Sequence, residues 1–92
     1  MHTMIVTMTL DPTQRQEVDR HLRDDVVSWA TSRPGFVTGR WLRSENGAAG
    51  IGVVTFTSAE AAAAAAAGPR SAKPGKAWTI ASVELYEHVA EA

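Results

Sequence analysis

Apolar side chains recur at every second position over the first ten residues. Met4, Val6, Met8 and Leu10 share one face, and Thr3, Ile5, Thr7 and Thr9 share the other, which is the period of a strand separating a core from a half-polar surface. The period changes at Asp11-Pro12. Val18, Leu22, Val26 and Trp29, joined by Ala30, then recur at helical spacing, while Arg15, Asp19, Arg20, Arg23 and Asp24 fall on the solvated side. Asp11 is suited to cap this helix, Pro12 loses no hydrogen bond at its first position, and Gln14 stands where a capping-box partner belongs. Trp29 reads as core. Asp25, beside the stripe, reads as a rim carboxylate paired with an arginine, because an unpaired buried charge is costly.

Pro34-Gly35 ends the helix, and two strand-like runs, F-V-T-G-R-W-L-R-S-E and G-I-G-V-V-T-F-T, meet at Asn46-Gly47. That pair predicts a two-residue hairpin turn with positive φ at both centres. Gly50 and Gly52 in the returning strand predict a bulge or the close approach of another group. The spacing G-A-A-G-I-G lies inside a strand and not at a strand-to-helix turn, so it is no nucleotide fingerprint. Thr57 and Glu60 predict a capping box for a helix containing seven consecutive alanines, Ala61 to Ala67, closed by Gly68-Pro69. A loop with Arg70, Lys73 and Lys76 leads to a last strand, from Trp78 to about Val89. Its Ile80, Ser82, Glu84, Tyr86 and His88 share one face; Ala81, Val83, Leu85, Glu87 and Val89 share the other, which is assigned to the helices.

The order β-α-β-β-α-β defines an α+β, ferredoxin-like chain: a four-stranded antiparallel sheet with two helices on one face. The other face has no covering element, and a homodimer through that open face is expected. The 92 residues make a single domain, 1–92, with a small core. Cysteine is absent, which removes disulfides, thiolate catalysis and cysteine-ligated metal and favours dimerisation as the supplement to that core. A net charge of -1 gives no electrostatic reason to bind nucleic acid or an anionic membrane. No apolar run approaches the ~20 residues of a membrane span, and no basic segment precedes an apolar signal region. A cytoplasmic protein is expected.

Candidate chemistry is sparse. Glu84, Tyr86 and His88 alternate on one strand face and, with Thr7, would line a pocket on the open side of the sheet, offering an acid, a phenol and an imidazole. His2, His21 and His88 lack metal-ligand spacing, so neither a metal nor a cofactor is expected. The alanine helix supplies no acid, base or nucleophile. Arg40 and Trp41 must point to opposite faces.

The N-terminal strand, the capped long helix, the Pro34-Gly35-Phe36 break, the G-R-W-L-R-S run, Asn46-Gly47 and the T-F-T-S-A-E-A entry to the second helix resemble the dimeric α/β-barrel superfamily, in its antibiotic-biosynthesis-monooxygenase-like branch. The resemblance spans nearly the whole chain. It implies two ferredoxin-like protomers with their sheets face to face, and cofactor-independent oxygenation of a small quinol-type aromatic. Haem-degrading and quinone-forming enzymes of this kind use an asparagine, a tryptophan and a histidine around the pocket. Here the second helix is alanine throughout, and Thr7 and Thr9 replace an asparagine on the first strand, so that set is not carried over and haem degradation is disfavoured. The competing expectation is a non-catalytic module that binds a small molecule or stabilises a dimer.

Overall fold

The alternation of the first strand suits it to the middle of a sheet covered on one side. In the computed structural model, which describes residues 1–92, strand β1 (His2–Leu10) lies between β3 (Ala49–Phe56) and β4 (Trp78–Glu87), and β2 (Phe36–Arg43) pairs with the far side of β3. All three pairings are antiparallel. Helix α1, residues 12–31, and helix α2 (Ala59–Ser71) complete a ferredoxin-like α+β chain with sheet order β2-β3-β1-β4. Met4, Val54 and Phe56 are the largest fully buried side chains, and Val18, Ala62, Ala65 and Ala66 cover them from the helices. No helix is long and apolar enough to cross a membrane.

Strand register decides which side chains meet. Met4 lies opposite Val54 and Leu85, and Val6 opposite Gly52 and Val83, on the helix side; Thr3, Ile5 and Thr7 lie opposite Tyr86, Glu84 and Ser82 on the open side. The β1–β4 register shifts between Thr7 and Met8, so that Met8 pairs with Ile80. Strict alternation along β4 would place Ile80 with Ser82 and Glu84. The irregularity instead turns it to the helix side, where it packs on the core. The open face keeps Leu42 and Ile51 at 55% and 40% exposure.

The helix ends and the hairpin differ from simple expectation for identifiable reasons. Asp11 does cap α1, accepting from the Thr13 amide at 2.9 Å and the Thr13 hydroxyl at 2.6 Å. Gln14 makes its bond to Asp11 through its own backbone N–H and not as a capping-box side chain. At α2 the cap is Ser58, whose hydroxyl accepts from the Ala61 amide at 3.1 Å. Thr57 is committed elsewhere: its amide donates to the Gly35 carbonyl at 2.9 Å, fixing the chain against the preceding turn. Gly68-Pro69 does not close α2, which continues to Ser71. Gly68 is instead a packing position, since a Cβ there would fall 2.8 Å from Trp29 Cζ2. The Ser71 hydroxyl donates to the carbonyls of Ala67 and Gly68 at 2.8 and 3.1 Å, bonding back onto the last turn of the helix.

Ser44 and Ala49 close the hairpin around residues 45–48, with the Ser44 amide donating to the Ala49 carbonyl at 2.8 Å. Asn46 has no positive φ; Gly47 does, at 77°. The Asn46 side-chain oxygen accepts from the Ser44 hydroxyl and the Ala48 amide at 2.7 and 3.0 Å, so the loop uses its side chain where a two-residue turn would use its backbone. Gly47→Val would force a branched residue into a left-handed conformation and should destabilise the fold by about 1 kcal/mol or more. Thermal denaturation checks this, and an unchanged melting temperature would contradict the turn geometry.

Candidate functional site

Small residues set how closely the helix layer meets the sheet. The buried positions of α2 are alanines, Ala62, Ala65 and Ala66, and the sheet beneath carries Gly39 and Gly52 where larger side chains would stand. The Trp41 indole lies across these glycines: a Cβ at Gly39 would fall 2.8 Å from Trp41 Cη2, and one at Gly52 would fall 3.0 Å from its Cδ1 and Nε1. The β1–β3 register is unbroken there, so close approach, not a bulge, explains the strand glycines. Trp41 thus lies on the helix side of the sheet.

Beside this close-packed region lies a cavity of about 310 Å³. Met4, Val6, Met8, Val54 and Ile80 line it from the sheet, Trp29, Trp41 and Trp78 supply aromatic surface, and Val26, Gly68, Pro69 and Ala72 line it from the helices. His21 and Asp25 are its only ionisable lining side chains.

Both come from an unusual turn. Helix α1 begins as a 3-10 turn at Pro12–Gln14, is α-helical over Arg15–Arg20, widens to a π-helix over His21–Val26, and returns to α over Val27–Thr31. The Val27 amide reaches back to the Leu22 carbonyl, a five-residue span. Within the wide turn, His21 Nδ1 lies 3.0 Å from Asp25 Oδ2. The imidazole stacks on the Trp78 indole, with ring centres 4.6 Å apart and planes inclined by 14°. Asp25 is a half-exposed rim carboxylate, as expected, but its nearest partner is His21; Arg20 stands 3.9 Å away. Arg20 is engaged mainly by Glu17 at 2.6 Å, a contact that lowers the Glu17 pKa and raises that of Arg20.

The residues singled out from the last strand lie on the opposite side of the sheet. The Tyr86 hydroxyl donates to Glu84 at 2.8 Å. His88 Nε2 is hydrogen-bonded to the Thr3 hydroxyl, which also meets the Thr55 hydroxyl at 2.9 Å, and His88 Nδ1 faces Glu91 at 3.2 Å. Thr7 is placed in the next rows, opposite Ser82 and Ile51, with no side-chain bond to the others. The open face therefore holds two separate polar groups, Glu84–Tyr86 and Thr3–Thr55–His88, with Thr7 apart. None of Thr7, Glu84, Tyr86 and His88 lines the cavity. The residues that do carry its polarity, His21 and Asp25, were legible only as a His-x-x-x-Asp spacing beside the apolar stripe of α1.

No family profile and no curated protein sequence matches the chain. Solved structures do. The chain is similar to the haem-degrading protein MhuD of Mycobacterium tuberculosis, solved with two haems in its active site, at a TM-score of 0.76 and 20% identity, over 100% of this chain and 99% of that one. HapK from Hahella chejuensis matches at a TM-score of 0.73 and 16% identity, over 100% and 96%. The ActVA-Orf6 monooxygenase of Streptomyces coelicolor, in complex with nanaomycin D, matches at 0.69 and 20% identity, over 99% and 89%. At 16–20% identity the likeness is one of fold: the chain shares the ferredoxin-like α+β fold of these proteins over nearly its whole length.

One titration follows from the open face. The Tyr86 phenol is held above its ordinary pKa by the hydrogen bond it donates to Glu84, then by the charge of that carboxylate and by desolvation. A raised folded-state pKa means that this contact's contribution is complete below the unfolded tyrosine value and is lost as pH rises through the folded one. Spectrophotometric titration should show Tyr86 ionising later than free tyrosine, and Glu84→Gln should move it back down. Coincident titrations of the two proteins would contradict the contact.

Proposed function

We propose that this chain is a cytoplasmic, homodimeric, cofactor-independent monooxygenase-like protein that takes a small quinol-type aromatic compound into the cavity between helices and sheet. The observation that carries this reading is the cavity lined by Trp29, Trp41 and Trp78 with polarity confined to the His21–Asp25 rim. Flat indole surfaces favour a planar ring system by offset stacking and edge contacts. At about 310 Å³, the cavity lies near the lower end of the ~300–1,000 Å³ typical of small-molecule sites, which suits two or three fused rings better than a tetrapyrrole. In the oxygenation proposed, one atom of O2 replaces a ring C–H as a carbonyl. The other leaves as water with that hydrogen and the hydroxyl hydrogen, so a phenol becomes a quinone without an external reductant.

The dimer is proposed to form through the open sheet face, where Ile5, Leu42, Ile51 and Val53 give an apolar surface around the Arg40 and Glu84 row. Thr7, Glu84, Tyr86 and His88 would then line the space between the two sheets. A non-catalytic binding or dimerisation module is the second reading, favoured by the absence of polar side chains on the α2 wall of the cavity.

Titrating the protein with 1,4-dihydroxynaphthalene under anaerobic conditions, followed by admission of oxygen, separates the readings. Saturable quenching of tryptophan fluorescence is expected, weakened about three- to tenfold in Trp41→Ala by loss of an aromatic contact, with protein-dependent oxygen uptake. Binding without uptake would favour the module, and quenching that survives Trp41→Ala unchanged would contradict the cavity as the binding place. Sedimentation should give a dimer at micromolar concentration with an interface above ~1,000 Å²; a stable monomer would rule the assembly out.

A further inference from the structure

We propose that His21 and Asp25 form a proton-accepting dyad that selects planar aromatics bearing an acidic hydroxyl and holds them as the oxyanion; this rests on the preceding reading that an aromatic enters the cavity. The two residues are the only ionisable side chains on an otherwise apolar lining. Their arrangement is more specific than a surface ion pair. The Asp25 carboxylate sits at His21 Nδ1, which makes Nδ1 the protonated nitrogen and leaves the Nε2 lone pair as the acceptor. No protein group bonds Nε2, and the imidazole is 24% exposed, which leaves it reachable from the cavity that it lines. Stacking on Trp78 fixes the plane of the ring. An imidazole locked in tautomer and orientation is costly to arrange when it serves only as cover for a tryptophan, and it is the arrangement that proton transfer requires.

The wide turn adds a second, independent indication. A π-helical turn is uncommon and is frequently found at functional sites. Here it spans His21 to Val26 and carries both members of the dyad. Val18 before it and Ala30 after it are buried against the core, so the helix keeps its packing on either side while the turn itself faces the cavity.

The proposed step is a single proton transfer. The ligand O–H bond breaks, an N–H bond forms at His21 Nε2, and the electron pair stays on the ligand oxygen. The imidazolium lies between that oxyanion and the Asp25 carboxylate, which stabilises the cation. A charge-assisted hydrogen bond is stronger than a neutral one. Aromatics without an acidic hydroxyl gain none of this and bind only by stacking.

The test uses 4-nitrophenol, whose colour reports its ionisation, and nitrobenzene, which has nearly the same shape without the hydroxyl. At a pH where free 4-nitrophenol is mostly neutral, the wild-type protein should bind it about tenfold more tightly than nitrobenzene and turn it to the coloured phenolate. His21→Phe keeps a ring for Trp78 to stack on but removes the acceptor; it should abolish the preference and the colour while leaving nitrobenzene binding intact. Asp25→Asn, on the half-exposed rim, changes no buried group and should reduce the phenolate fraction even if His21→Phe folds poorly. Binding of both probes by the wild type with no preference, or persistence of the phenolate in both variants, would overturn the dyad alone. Failure of the wild type to bind either probe would overturn the aromatic cavity and the dyad with it.

Discussion

The structure depends on how little side-chain volume stands between α2 and the middle of the sheet. Alanine at the buried positions of α2 and glycine at 39 and 52 bring backbone where bulk would otherwise lie. Close packing is the rule in protein interiors, and a gap of this kind must be filled by neighbours or by a ligand. The Trp41 indole fills part of it by lying flat on the two glycines, and Trp29 reaches over Gly68 from α1. The cavity lies beside this close-packed region, bounded by Gly68, Pro69 and Ala72 where α2 ends and by Trp41. A larger residue at either glycine would displace Trp41 from the position in which it lines the cavity.

The sheet separates two kinds of surface. Its helix side is apolar and concave and meets polarity only at the His21–Asp25 rim. Its open side carries exposed Leu42 and Ile51 beside small hydrogen-bonded groups such as Glu84–Tyr86 and Thr3–His88. Concavity and a hydrogen-bonded, stacked imidazole suit ligand chemistry; a mixed polar and apolar surface suits association. Surface ion pairs such as Arg43–Asp19, where the arginine lowers the pKa of the aspartate, tie β2 to α1 at the periphery and are a minor source of stability.

Much of the fold was legible because period and punctuation agreed. The β1 alternation, the α1 stripe, the Pro34-Gly35 break and the alanine run all occur where the structure has elements of that type. What escaped was decided by tertiary contact. The bulge opposite Thr7–Met8 turned Ile80 to the core, Thr57 is bonded through its amide to Gly35 while Ser58 makes the cap, and α2 runs on through Gly68-Pro69 with Trp29 packed on Gly68. The site was less legible. Glu84, Tyr86 and His88 were placed correctly on the open face by alternation, but nothing in a strand pattern shows where a cavity will form. His21 and Asp25 stood in plain spacing on a helix, yet their meeting depends on a π turn and on a tryptophan 57 residues further along, neither of which local periodicity encodes.

Ligand is proposed to enter on the helix side of the sheet, between the tryptophans and under the π turn. A crystal structure of the protein with a bound dihydroxynaphthalene should show the ring system between Trp41 and Trp78, with one hydroxyl oxygen within hydrogen-bond distance of His21 Nε2. Ligand density on the open face, among Thr7, Glu84, Tyr86 and His88, with the helix-side cavity unoccupied, would contradict it.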